Sequence, residues 1–431
     1  MTRSNSLAGD CGVIIKMIKI SKNKLKIGNF FVSDLIKKFG SPLYIYDEET
    51  IRQKYRDLYK NIKYKPLRIY YACKANTNLS ILKILKEEGA CIDAVSPGEI
   101  LAALSAGYKP EQILFTGNNL TDDEMRFAIN EKVMINIDSL SQLRRYGMIN
   151  PGSRISVRIN PDVGAGHHEH TITGGPDSKF GIYFDKVGEI KTIAQKHKLK
   201  IVGIHEHIGS GILDTNKFLL AMKVLLKTAR KFENLEFIDF GGGIGVPYRK
   251  SQKAIDMSAF GKKVSELFEK FCKEHGKKLT MTIEPGRYLV CESGILACTV
   301  NTIKTTPKHK FIGVDSGFNH LIRPMAYGSY HEIIAADNVN SAKKENALIC
   351  GNLCESGDIF TRNEQGIEER SLPVIEEGDV LAIMNAGAYG FSMSSNYNLR
   401  LKPMEILING NKARAIRNKD SYTDLLKGMK L

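Results

Sequence analysis

Cys91-Ile92-Asp93-Ala94-Val95-Ser96-Pro97-Gly98-Glu99 reads as a strand running into a helix, and this unit decides the fold. Cys91–Val95 is a short strand-forming run. Ser96 stands where an N-cap belongs, Pro97 takes the first helical position, and Glu99, three residues after the cap, completes an expected capping box. The helix ends at Gly107.

The same unit repeats outward in both directions. Upstream, Arg68-Ile69-Tyr70-Tyr71-Ala72-Cys73-Lys74 is a strand that ends on a single cation, and a helix follows through Leu79, Ile81, Leu82 and Leu85 to Gly89. An earlier helix opens at Asp47-Glu48 with Ile51, Tyr55, Leu58 and Ile62 near the helical period. Downstream come strands Ile113–Thr116, Val133–Ile137, Arg154–Ile159, Lys200–Glu206, Glu236–Phe240 and Thr280–Glu284. Helices lie between them, one entered at Thr121 with Glu124 at the box offset, the later ones near 139–147, 185–197, 214–232 and 256–275. Eight strands alternating with helices over this length favour a (β/α)8 TIM barrel over a doubly wound open sheet.

After about residue 293 the helical period disappears and short β runs take over. These are Ile295–Ile303, Phe311–Val314, His331–Ala335, Ala347–Cys350, Val380–Asn385 and Glu405–Leu407, with Asn409-Gly410 as a hairpin turn. Leu43–Tyr46 is expected to join them. The expected architecture is α/β: a barrel over 48–292, and a discontinuous β-sandwich or barrel-like domain from 18–47 and 293–431. Residues 1–17 read as an extension outside the fold, with Met17 as an alternative start.

Composition narrows the function classes. The formal charge of +15 comes with lysines spread along helices, not in one block with interleaved aromatics, so a solvated basic surface is favoured over nucleic-acid binding. No apolar run approaches the roughly 20 residues that cross a bilayer. The N-terminus does not read as a signal peptide. No Cys-x-x-Cys pair occurs, and the cysteines read as reduced thiols of a cytoplasmic protein.

In a barrel, the C-terminal strand ends converge on one mouth where catalytic groups belong. Lys74 ends the first strand; a lysine amine that loses solvation becomes a nucleophile able to form a Schiff base. His207 follows the sixth strand in His205-Glu206-His207-Ile208-Gly209-Ser210-Gly211. Asp239-Phe240-Gly241-Gly242-Gly243-Ile244-Gly245 ends the seventh, where bare backbone closes around an anion. Glu284-Pro285-Gly286-Arg287 ends the eighth: Glu284 can keep a heterocyclic nitrogen protonated, and Arg287 offers a fork for a carboxylate. Amine, phosphate cradle and ring partner together specify pyridoxal phosphate. His167-His168-Glu169-His170 imitates a metal cluster, but adjacent histidines on a loop point in different directions, and no metal is expected.

With Cys354-Glu355-Ser356-Gly357-Asp358, Arg323-Pro324-Met325-Ala326-Tyr327 and Gly387-Ala388-Tyr389-Gly390 added, the chain resembles the diaminopimelate decarboxylases. These are a family in the alanine-racemase-like fold class of pyridoxal phosphate enzymes, grouped with ornithine and arginine decarboxylases. The resemblance covers nearly everything after about residue 25. It implies that Lys74 tethers the cofactor and that His207 stacks on its ring. Ser210, Gly242, Gly243 and Gly286 would hold the phosphate, with Arg287 and Tyr389 also at the cofactor. Glu284 would pair with the pyridine nitrogen. Arg287, Arg323, Tyr327 and Tyr389 would meet the substrate, Arg287, Arg323 and Tyr327 at its distal carboxylate, and Glu355 its distal ammonium. Cys354 or Lys74 would deliver the final proton. The resemblance further implies a homodimer in which the Cys354 segment enters the partner's site, and a reaction in which meso-2,6-diaminopimelate loses its D-centre carboxyl to give L-lysine. Decarboxylation of ornithine, arginine or carboxynorspermidine is the alternative on this scaffold; an inactive binding relative would be expected to lose Lys74 or Cys354, and both are present.

Overall fold

The computed structural model describes residues 18–164, 166 and 173–430. Eight strands pair in parallel and close on themselves: β1 (Leu67–Ala72), β2 (Cys91–Ala94), β3 (Ile113–Phe115), β4 (Met134–Ile137), β5 (Arg154–Asn160), β6 (Lys200–His205), β7 (Phe237–Asp239) and β8 (Thr280–Ile283). Each pairs with the next, and β8 returns to β1 with Met281 opposite Leu67. The expected TIM barrel is the fold observed. Closure leaves no free sheet edge, so every strand can be short and still satisfy its backbone.

The helices outside follow from apolar period and caps. Met257–His275 buries Phe260, Val264, Phe268 and Phe271 against the barrel along one stripe. Asp256 caps its start by accepting from Ser258 and Ala259 N–H, and Gly276 ends it at φ +73°. Thr121 and Glu124 form a full capping box. The expected box at Ser96 is only half made. Ser96 accepts from Glu99 N–H at 3.2 Å, but the Glu99 carboxylate accepts from Val95 N–H at 2.7 Å, pinning the end of β2 in place of the cap residue.

The chain divides into two compact units. One holds Lys54–Val246 and Ala254–Leu289; the other holds residues up to Gln53, Pro247–Lys253 and Val290 onward. In the second unit Leu43–Asp47 lies antiparallel to Gly294–Thr305 and parallel to Met404–Asn409. Gly294–Thr305 also pairs with Lys310–Val314 and Val380–Ile383. Leu25, Ile27, Val32, Leu35, Ile45, Ile295, Ala382, Ile406 and Ile408 form its core. Strand His331–Ala335 is shorter than expected, at Ile333–Ala335, and Val380–Asn385 ends at Ile383. Asn385 takes φ +56°, outside strand geometry. The hairpin expected at Asn409-Gly410 joins Met404–Asn409 to Lys412–Arg417, while the hairpin Ile18–Ser21 with Lys24–Ile27 and the strand Arg370–Pro373 were among those not expected.

Candidate active site

Lys74 is placed by a change of backbone. β1 ends at Ala72, and Cys73–Ala75 makes a single 3₁₀ turn closed by Asn76 N–H on Cys73 O. The turn is anchored below, where Tyr71 OH donates to Asn76 O at 2.9 Å. Lys74 Nζ then lies 2.6 Å from Asp93 Oδ2 on β2, and the other Asp93 oxygen accepts from Thr116 Oγ1. The strand-end lysine is therefore not free in water but held by a carboxylate with no exposed surface.

The two glycine loops after β6 and β7 lie backbone against backbone. Ile212 N–H donates to Gly243 O and Gly245 N–H to Ile212 O, both at 2.9 Å. A Cβ on Gly242 would stand 2.0 Å from Glu284 O, and one on Gly243, already at φ +111°, would stand 2.6 Å from Gly209 O. Neither position can carry a side chain, which leaves the backbone uncovered at this mouth, with the Gly242 N–H itself taken by His207 Nδ1. Ser210 Oγ accepts from Arg287 at 3.2 Å, so the loop after β6 is tied to the turn after β8. Gly286 packs its backbone against Ala72 and Ala75.

His207 follows β6 with its Nδ1 accepting from Gly242 N–H at 3.1 Å, so the ring proton of the neutral imidazole is on Nε2. Burial and the nearby Arg158 and Lys74 cations hold it well below the usual histidine range, and it stays uncharged.

Glu284 belongs to a buried group whose other members, His205 and Asp239, had no role assigned from the sequence. Asp239 pairs in register with His205 on one side and with Thr282 on the other. Glu284, two residues past Thr282, projects on the same face. One polar atom from each of His205, Asp239 and Glu284 lies within 4.8 Å of the others. His205 Nε2 meets Glu284 Oε2 at 3.0 Å, while Glu284 Oε1 is buried without a hydrogen-bond partner. Burial and the Asp93 charge push the Glu284 carboxyl well above its ordinary range. Arg158 lies over the Phe180 ring at 4.5 Å, with its guanidinium 3.7 Å from Asp138.

In the second unit, Arg323 is almost wholly buried at the start of the helix Arg323–Tyr327. Its guanidinium donates to Ser329 Oγ at 3.0 Å and to His331 Nε2 at 3.4 Å, and it lies 5.3 Å from the Tyr248 ring and 6.0 Å from that of Tyr327. His331 can accept there because its Nδ1 donates to Met384 O at 2.8 Å. The Cys354-Glu355 turn is built on Asp358, which accepts from Leu353 and Phe318 N–H. Cys354 is exposed, its N–H donating to Asn398 Oδ1, and Glu355 accepts from Tyr397 OH at 3.3 Å. Tyr389 holds φ +56°, a costly conformation for an aromatic residue and one found where side chains are aimed for function.

Thus Lys74, His207, Ser210, Gly242, Gly243, Glu284, Gly286 and Arg287 lie in the barrel unit, and Arg323, Tyr327, Cys354, Glu355 and Tyr389 lie in the other. Asp93, Arg158, His205 and Asp239 are the residues missed. Each is a charged or titratable group inside an otherwise apolar strand, and such a group must find a partner when buried; that was the available signal. His167-His168-Glu169-His170 and Met17 lie outside the described residues.

Residues 48–291 match the family model for the pyridoxal-dependent decarboxylase, pyridoxal binding domain. The chain is 49% identical to the diaminopimelate decarboxylase of Methanothermobacter thermautotrophicus, over 94% of this chain and 96% of that one. Among solved structures it is similar to diaminopimelate decarboxylase from M. jannaschii in complex with L-lysine, with a TM-score of 0.87, 32% identity, and coverage of 96% of this chain and 98% of that one. The Helicobacter pylori enzyme complexed with L-lysine gives a TM-score of 0.83 and 33% identity over 91% of this chain and 98% of that one.

Proposed function

The chain belongs to the diaminopimelate decarboxylase family of pyridoxal-dependent enzymes, and on that premise we propose how its residues divide the work. The reaction removes the carboxyl group at the D-centre of meso-2,6-diaminopimelate and leaves L-lysine and carbon dioxide. Pyridoxal phosphate, when bound, supplies an electron-poor ring that accepts the electron pair left as carbon dioxide departs.

The observation that carries the assignment of roles is one barrel mouth holding both an amine, Lys74, and a buried carboxyl, Glu284, whose Oε1 has no partner. An orphaned buried oxygen is costly unless something arrives to meet it. A protonated ring nitrogen fits that need, and Lys74 fits the cofactor's aldehyde. The residues therefore suit the cofactor. Asp93 keeps the Lys74 amine in place until it is used. The bare backbone of Gly242, Gly243 and Gly286, with Ser210 Oγ, takes the phosphate, and Arg287 and Tyr389 add to the cofactor's surroundings. Neutral His207 would stack on the ring, with Nδ1 held by the Gly242 N–H.

Arg287, Arg323 and Tyr327 receive the distal carboxylate and Glu355 the distal ammonium, with Tyr389 beside them. Arg323 suits this role because its fork is already oriented by Ser329 and His331, so little rotamer entropy is lost on binding. Cys354 or Lys74 hands the proton to the carbon that lost its carboxyl group. We assign the active form as a homodimer in which the Cys354-Glu355 segment of each subunit completes the other's site, working in the cytoplasm. Among the described residues no helix is long and apolar enough to cross a membrane.

The test offers meso-diaminopimelate, its LL isomer, ornithine and arginine separately, and measures carbon dioxide and product. Lysine from the meso isomer alone is expected. Turnover only with ornithine or arginine would remove the dicarboxylate reading of Arg287 and Arg323.

A further inference from the structure

The contact between His205 and Glu284 does more than satisfy a buried histidine. A carboxyl group rotates easily about its last torsion, which has broad, nearly two-fold preferences. Glu284 has no hydrogen bond on Oε1, so a single hydrogen bond, His205 Nε2 to Oε2 at 3.0 Å, restrains the rotation of the carboxyl. His205 is itself fixed, being the last residue of β6, in register with Arg158 on β5 and Asp239 on β7. Both partners are almost fully buried, so no water competes for either.

The charge state of His205 supports the direction of the bond. Burial, with Arg158 and Lys74 nearby, pulls it down to about 4 against the opposing pull of Asp239 and Asp93. A neutral imidazole has one N–H, and once a ring cation at Glu284 keeps the carboxyl ionised, that N–H belongs on Nε2, where it meets an acceptor, with Nδ1 left without a partner. His205 therefore donates to Glu284 and does not compete with a bound cation for its charge.

We infer that His205 is a positioning residue for the cofactor's ring nitrogen: by donating Nε2–H to Glu284 Oε2 it turns Oε1 toward that nitrogen and holds the carboxyl there. This rests on the reading of Glu284 as the ring-nitrogen partner. His205 touches neither cofactor nor substrate in this role; it acts through Glu284. Without it, Oε2 is left buried and unsatisfied, and the carboxyl is free to rotate away from the ring.

The experiment removes one atom at a time from each side of the contact. Apoenzyme is reconstituted with pyridoxal phosphate and with its 1-deaza analogue, in which carbon replaces the ring nitrogen, and both dissociation constants are measured. The native protein should prefer the natural cofactor by about tenfold or more, the worth of one charge-assisted hydrogen bond. His205→Phe, similar in shape but without a donor, should bring that ratio close to one, whereas His205→Gln, which keeps an N–H donor, should restore most of it. If His205→Phe does not fold, the smaller His205→Leu takes its place. A purely structural histidine would weaken both cofactors equally and leave the ratio at its native value, and that result overturns the inference. If the native protein itself does not discriminate, the Glu284 reading fails first and the inference falls with it.

Discussion

Lys74 Nζ and Asp93 Oδ2 form a 2.6 Å ion pair whose acid side has no exposed surface. Asp93 sits one residue before the end of β2, and its second oxygen is taken by Thr116, so its orientation is fixed. The pair sets where the amine waits. Asp93→Asn keeps the shape and removes the charge, leaving Lys74 without its counter-ion. We expect kcat/KM to fall by about 10- to 100-fold with the fold intact, since the amine of this part-buried pair loses the charge that orients it. Steady-state kinetics beside a circular dichroism spectrum checks this; unchanged kinetics would reduce the pair to a packing contact.

The glycine mouth gives a steric prediction. Gly242→Ala places a methyl 2.0 Å from Glu284 O, a backbone atom that cannot move without shifting the end of β8. The variant should lose about 2–3 kcal/mol of stability as an overpacking defect and bind pyridoxal phosphate at least about tenfold more weakly. Gly188→Ala, also outside the positive-φ region and with nothing within 4 Å of the added methyl, serves as the control for adding a methyl alone. Thermal unfolding and cofactor titration report the two effects separately.

Stability of the cofactor-free protein should depend on pH through the buried group beneath the mouth. Burial and the Glu284 charge push Asp239 up to about 8 from an ordinary 3.8, and burial pulls His205 down to about 4 from 6.5. Between 3.8 and 8 the folded chain holds a proton on Asp239 that the unfolded chain lacks, so this stability is present at low pH and is lost as pH rises. Between 4 and 6.5 the unfolded chain holds a proton on His205 that the folded chain lacks, so that term gains with pH. The two oppose each other in the lower window, and above 6.5 the Asp239 loss is no longer offset by His205. From there to pH 8 the native protein should lose about 2 kcal/mol more than Asp239→Asn, measured by urea unfolding. Equal losses would mean that Asp239 is ionised in the folded barrel.

The shared-site dimer predicts complementation. Lys74→Ala and a Cys354→Ala/Glu355→Ala double variant should each be inactive, but unfolded and refolded together they should recover about one quarter of native activity. Half the random dimers are hybrids, and each hybrid has one intact site. No recovery, with hybrids demonstrated by native mass spectrometry, would put all these residues to work within a single subunit.

Much of this was legible in the sequence, for physical reasons that also explain the rest. The barrel showed because each βα unit carries its own signals, such as Ser96-Pro97 before a helix and Gly107 after it. Lys74, His207 and Glu284 stood out as polar residues at the ends of apolar strands. Asp93, Arg158, His205 and Asp239 did not, because their meaning lies in register across neighbouring strands, and one sequence does not show which residues face each other. Lys412–Arg417 was marked only by the Asn409-Gly410 turn before it, because charge and alanine alternate along it, with too little apolar surface to read as a strand. Pro247–Lys253 gave no hint that it groups with the second unit, since that depends on contacts far away in sequence.

The roles proposed for Lys74 and Glu284 require decarboxylation at one chosen carbon of a symmetric-looking substrate. Two samples of meso-diaminopimelate, one carrying a labelled carboxyl carbon at the D-centre and the other at the L-centre, report that choice. Labelled carbon dioxide is expected from the first sample only, with the second delivering all its label into L-lysine. Label released from the L-centre, or no carbon dioxide from either sample, would contradict those roles.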